Sequence, residues 1–285
     1  YAFHSNTGNI SGTITNITMG DVGYLFYADG NISGKIDNIT MNNANYPFYA
    51  NTGNISGTIN HVTMGDVSTT FYANNISSTI MNVKMGNVIK YAFYANTGNI
   101  SGNITNITMG NVYNAFHAHG DISGIISDII MSDIINPSLD PGNVFISISS
   151  NISGVINNII IGNDGRYIFH TQAGDISGTI SNIIVGDVES IFYSIGNISG
   201  TITNIKMGDG EQPFRATSNI SGIINDVIIG SATLAFYAIG NISGTINNIK
   251  MSNITSTYSF YANNISSTMS YVESNGSINT GGSFT

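Results

Sequence analysis

An all-β parallel solenoid is predicted by three observations. A unit of 21 to 24 residues recurs along the 285-residue chain. Its residues are Ile, Val, Thr, Tyr and Phe, which favour strands, while Glu, Lys, Leu and Gln are scarce. Gly, Asn and Asp punctuate every unit at fixed places. A fixed period of this length belongs to stacked coils rather than to separate globular domains.

The unit is clearest in residues 9–20, NISGTITNITMG. Its Ile-Ser pair recurs at Ile10, Ile32, Ile55, Ile76, Ile100, Ile122, Ile152, Ile176, Ile198, Ile220, Ile242 and Ile265. This predicts a single-stranded parallel β-helix of about twelve rungs of 22–23 residues, expected to be right-handed, with three short strands per rung. Residues 10–14 form the first apolar segment and 17–19 the second; the third centres on Phe26-Tyr27-Ala28. Ile14 to Ile17 is a step of three, so the period of two is broken and a bend falls at Thr15-Asn16. Gly20-Asp21 and Gly30-Asn31 supply two further bends. At about 4.8 Å per rung, twelve rungs make a rod of roughly 58 Å.

Corresponding residues stack in such a rod, so each column has its own composition. Asn16, Asn38, Asn82, Asn106, Asn158, Asn182, Asn204 and Asn248 share the first bend. They are expected to form a buried ladder, each amide bonding the next rung. Met19, Met41 and Met64 share a core column. Phe recurs with an outward partner at Tyr27, Tyr49, Tyr72, Tyr94, Tyr193, Tyr237 and Tyr261. That partner column also accepts His117, His170 and Arg215, and predicts an external aromatic stripe.

The solenoid is expected to span residues 1–270, with an insertion at about 132–150 and a degenerate terminal rung or tail at 271–285. The interval from Ile122 to Ile152 is 30 residues and contains Asn136-Pro137-Ser138-Leu139-Asp140-Pro141-Gly142, a loop by composition. Outward columns that carry Thr elsewhere become Ile125, Ile130, Val155, Ile160 and Ile184. Either the inserted loop covers these five, or they form a lateral interface with another chain. Tyr1-Ala2-Phe3 already lies inside a repeat, so further coils or a cap are expected before it.

Three strands per coil with Asn at a tight bend resemble the right-handed parallel β-helix of pectate-lyase-like folds. The long, uncharged Ser/Thr/Asn/Gly repeats look more like the β-helical shafts of surface adhesins, such as filamentous-haemagglutinin-like passengers. The resemblance covers the whole chain and is architectural. It implies a structural shaft that is extracellular, at a cell surface or at a virion surface, with self-assembly as its main partnership.

Charge narrows the partners. Only 8% of residues are charged, against about 25% in ordinary soluble proteins, and the net charge is -9. No cationic cluster is present to neutralise phosphates, which argues against nucleic acid and anionic lipid. No apolar run approaches the ~20 residues of a membrane helix. There is no Cys, hence no thiolate site. Gly-Asp pairs such as Gly20-Asp21 and Gly186-Asp187 are explained by turn chemistry rather than by calcium. Asn-Ile-Ser and Asn-Ile-Thr sequons are a by-product of the repeat, and sparse glycosylation or none is expected. The scattered bases and carboxylates offer no catalytic set, so neither an enzyme nor a cofactor is expected. The leading expectation is a filament or shaft subunit assembling end to end or laterally. The alternative is a binding module that takes surface glycans on its Tyr stripe or ice on its Thr columns.

Overall fold

A computed structural model describes residues 1–135, 142–163 and 165–280, the last four by backbone alone. The chain winds into an all-β parallel solenoid. Strands from Thr13–Met19 to Thr268–Glu273 pair in one 12-stranded sheet, the corner sheet. Strands from Phe3–Ser5 to Ser277–Thr280 pair in a 13-stranded sheet, the aromatic sheet. Each strand lies beside its equivalent one coil away, as Thr18 beside Thr40 and Phe26 beside Phe48. The third side of the coil is narrower than a strand. It is a column of single Ile bridges, Ile10 to Ile32 and onward to Ile265. Coils are numbered here by that column, from the first at Ile10 to the twelfth at Ile265.

Burial of Ile, Phe and Met holds the coils together, and the buried side chains form one continuous core. Its spine is a stack of Phe rings from Phe3 to Phe260, with successive centroids 4.5 to 5.2 Å apart. From Phe26 onward these rings are fully buried. A tight approach sits beside each Ile bridge. Gly34 has φ +96°, and a Cβ there would lie 2.2 Å from the carbonyl oxygen of Gly12, so glycine is favoured in this column, where Ser78 and Ser267 are the exceptions among the twelve coils.

One expected boundary is corrected. Asn143–Ser147 is a strand of the aromatic sheet, paired with Val112–Ala118 and Gly165–Thr171. Phe145 occupies the Phe column, 4.8 Å from Phe116 and 4.9 Å from Phe169. Ile134 also keeps its place, bridged to Val112, so the insertion contracts to 135–142, of which 136–141 lie outside the described residues. At the other end, Thr268–Glu273 and Ser277–Thr280 pair with the preceding coil, the latter with a register shift between Tyr258 and Phe260.

Candidate functional site

Three corners of the coil carry a polar ladder. At the first corner, Asn16, Asn38, Asn82, Asn106, Asn158, Asn182, Asn204 and Asn248 all adopt φ between 51° and 59°. A short polar side chain tolerates this left-handed conformation better than a branched one does. Asn38 Nδ2 donates to Asn16 Oδ1 at 2.6 Å, Asn182 to Asn158 at 3.0 Å and Asn204 to Asn182 at 2.6 Å. Where His61 interrupts, Asn82 Nδ2 reaches Asn60 Oδ1 at 2.8 Å instead. His61 turns to Asp37, 3.0 Å away, and its hydrogen bond holds that carboxyl below the usual range.

The expectation that this ladder is buried is corrected: Asn16, Asn38 and Asn106 are exposed. The left-handed residue and the one before it both lie outside the core, while the flanking Ile14-type and Ile17-type residues point in. The amides are bonded yet wet.

The second and third ladders were not legible as such. Asn9 Oδ1 accepts the backbone N–H of Asn31 at 2.7 Å, and the pattern continues coil by coil to Asn241. These are the Asn-Ile-Ser residues, with Asp121 and Asp175 in their place in two coils, so the sequon column is occupied in satisfying the main chain. Some amides also donate along the column, as Asn75 Nδ2 to Asn54 Oδ1 at 2.9 Å. The third ladder runs through the Gly-Asp corner. Asp21 Oδ1 accepts from Asn43 N at 3.1 Å and Asp187 Oδ1 from Asp209 N at 2.8 Å. Backbone donors left over at a corner need such partners.

On the aromatic sheet, Tyr27, Tyr49, Tyr72, Tyr94, Tyr193 and Tyr237 are half-buried, and Tyr261 is exposed. The cause is a second bend. Leu25 and Phe26 are consecutive, and both are fully buried. Tyr24 and Tyr27 therefore face each other, their rings meeting edge-on at 5.4 Å. Along the axis, Tyr27, Tyr49 and Tyr72 stack nearly parallel at 5.4 and 4.3 Å. Burial and neighbouring phenols push the Tyr49 hydroxyl pKa well up. Over these three rings each face is covered by the next ring, while Tyr72 and Tyr94 are tilted by 44°.

The stripe changes beyond the fourth coil, where His117, Ile146 and His170 follow Tyr94 in register. Burial lowers both imidazoles to about 4, helped by His119 beside His117 and Arg166 near His170. Two coils farther on, Arg215 lies over the Tyr193 ring at 4.6 Å. Glu189 accepts from the Tyr167 hydroxyl at 3.0 Å and pairs with Arg166 at 3.3 Å. Burial, with Glu189 adding to it, raises Tyr167 to about 12.

No family model, curated protein or solved structure matches this chain.

The exterior of the corner sheet is therefore judged on its own geometry. Ile125, Ile130, Val155, Ile160 and Ile184 are between 41% and 50% exposed. The structure divides them. A left-handed ladder residue, Asp128 or Asn158, falls between the Ile125–Val155 pair and the Ile130–Ile160–Ile184 run. They occupy two flanks of one corner rather than one plane. Beyond Ile184 the second flank continues as Lys206, Ile228 and Lys250. A groove of about 330 Å³ runs there between these side chains and Asn182, Asn204, Asp226 and Asn248. The Thr columns expected to offer an ice-binding plane are split by the same corner, Thr13 on one side of Asn16 and Thr18 on the other. Among the described residues, no three His, Asp or Glu side chains gather as a metal-holding group. No helix there is long and apolar enough to cross a membrane.

Proposed function

We propose that the protein is a structural rod, the shaft of an extracellular fibre or surface adhesin, without catalytic turnover. One observation carries the reading: three corners of the coil commit their polar side chains to bonds along the rod axis. Those groups are spent on joining coil to coil, which stiffens a shaft and leaves few free to gather around a substrate. The stacked Phe column extends the same logic into the core. A glycan stripe is disfavoured because sugars stack on ring faces, and the Tyr faces are already paired. Electron microscopy of the native sample is the test. Fibres or rod bundles with thickness set by one or a few coil diameters are expected. Dispersed single rods that retain a soluble glycan on an array would sink the proposal.

A further inference from the structure

We infer that the second flank of the corner sheet, from Lys84 to Glu273, docks a second copy of this chain antiparallel to the first. The pairing is centred on the eighth coil. This names the partner in the lateral contact of the rod reading, and rests on that reading only for its biological setting.

Charge singles out this sheet. Its strands hold Lys35, Lys84, Lys206 and Lys250 against Asp37, Asp128, Asp226 and Glu273. Four cations balance four carboxylates, so the whole net charge of -9 resides elsewhere on the chain. Two copies approaching by the acidic turns bring like charges together, and the aromatic sheet offers three cations, Lys90, Arg166 and Arg215, against Glu189 alone; the corner sheet is the balanced one.

The order of residues along the flank then sets the direction. From the fourth coil to the twelfth it reads Lys84, Thr108, Ile130, Ile160, Ile184, Lys206, Ile228, Lys250, Glu273. A two-fold axis along the strand direction at Ile184 sets each coil opposite the one equally far on the other side. Ile184 meets its own copy, Ile130 lies over Ile228, and Lys84 lies over Glu273. Ile160 lies over the aliphatic stem of Lys206, a use that long cationic side chains suit. The groove is offset from the centre, at coils eight to eleven. The opposed segment is Thr108 to Ile184, which presents the Ile130 and Ile160 side chains to it. The two-fold repeats the fit reciprocally, as an isologous contact requires.

Asp226 lies one coil from both Lys206 and Lys250 of its own chain, and the axis brings Asp128 of the other copy opposite. Lys250 also pairs with Glu273 of its own chain at 3.6 Å, so each half of the contact gathers Lys206, Lys250 and the other copy's Lys84 against Asp226, Glu273 and the other copy's Asp128, three charges of each sign. The surfaces are modest. Nine coils at about 4.8 Å and some 15 Å of flank give a footprint of roughly 600 Å² per copy. That is near the lower limit of a specific interface, so a dimer of about micromolar affinity is expected.

The chain has no Cys, so single-cysteine variants report cleanly. Copper–phenanthroline oxidation of Ile184→Cys should give a disulfide-linked dimer. Ile130→Cys and Ile228→Cys should cross-link when mixed and not separately. Thr40→Cys, on the same column outside the contact, should stay monomeric. By sedimentation, the Lys206→Glu/Lys250→Glu double variant should dimerise at least tenfold more weakly. Asp128→Asn, which keeps a ladder residue, should cost three- to tenfold. Self-cross-linking of Ile130→Cys alone would mean parallel packing and overturn the register. Sedimentation as a monomer at about 100 µM, or charge variants with unchanged affinity, would overturn the interface. Fibres that form without the Ile184→Cys cross-link defeat this inference and leave the rod reading standing. Cross-linked dimers that never extend do the reverse.

Discussion

The outward column that starts at Thr18 has two characters. Through the first five coils it is Thr18, Thr40, Thr63, Lys84 and Thr108; from the sixth to the tenth it is Ile130, Ile160, Ile184, Lys206 and Ile228. The inward neighbours do not change with it. Ile39, Val62, Ile107, Ile129 and Ile183 all point into the same core, and Phe48 and Phe169 sit in the same stack. Thr and Ile are both β-branched and fit a strand about equally well. Folding a coil therefore does not require the exchange. The change begins at the coil that carries the insertion. The aromatic column also loses its Tyr run nearby, at His117, Ile146 and His170.

If the two regions share one interior, they should fail alike when it is damaged. Phe48→Ala in the Thr region and Phe169→Ala in the Ile region should each cost about 3–5 kcal/mol. Chemical denaturation would show a comparable loss for both. A cost confined to one region would mean that the coils are not one cooperative core.

Acid should separate the regions. His117 and His170 have folded pKa values of about 4, below the ordinary 6.5, because burial disfavours the charged imidazole. The unfolded chain binds more protons than the folded one between those values. Stability is therefore complete above pH 6.5 and falls as pH drops toward 4, by up to about 3 kcal/mol per imidazole. Melting temperature measured from pH 7 to pH 4 should decline. His117→Gln/His170→Gln should flatten that decline, and a flat wild-type profile would contradict the buried imidazoles.

The first ladder should matter equally in both regions. Asn158→Ala removes one amide that donates to Asp128 and accepts from Asn182, and leaves a left-handed Ala. The expected loss is about 2 kcal/mol. Asn38→Ala, which loses its bond to Asn16, should come within about 1 kcal/mol of it.

How far these features could be read in advance follows from their local grammar. The Ile-Ser interval disclosed the coil, and the step of three from Ile14 to Ile17 disclosed the corner at Asn16. Exposure of that corner was missed because being hydrogen-bonded was equated with being buried. Asn9 and Asp21 carry equivalent ladders, yet one looks like a glycosylation signal and the other like ordinary turn chemistry. Their partner is a backbone N–H 22 residues away, which no local motif records. Phe145 was hidden because Ile146 follows it where Tyr or His stands elsewhere. Leu25 and Phe26 both point inward, a break in alternation that turned a supposed flat stripe into a filled corner.

The smallest effect on stability is the most informative one. Ile160→Thr makes a seventh-coil residue identical to its counterparts in coils one to three. The side chain is about half exposed, so its burial within a single chain is small, and the change should shift unfolding free energy by no more than about 0.5–1 kcal/mol. Docked against a second copy, the same side chain loses its remaining exposure, and by symmetry the loss counts twice per dimer. About 1–2 kcal/mol of association should disappear, a five- to thirtyfold weaker dimer by sedimentation. The reciprocal change, Thr63→Ile, should leave association unaltered, because the third coil lies beyond the reach of the twelfth across the axis. A Thr63→Ile variant that associates more tightly would show that any apolar residue on this column suffices. The contrast between the two regions would then be one of stickiness rather than of register.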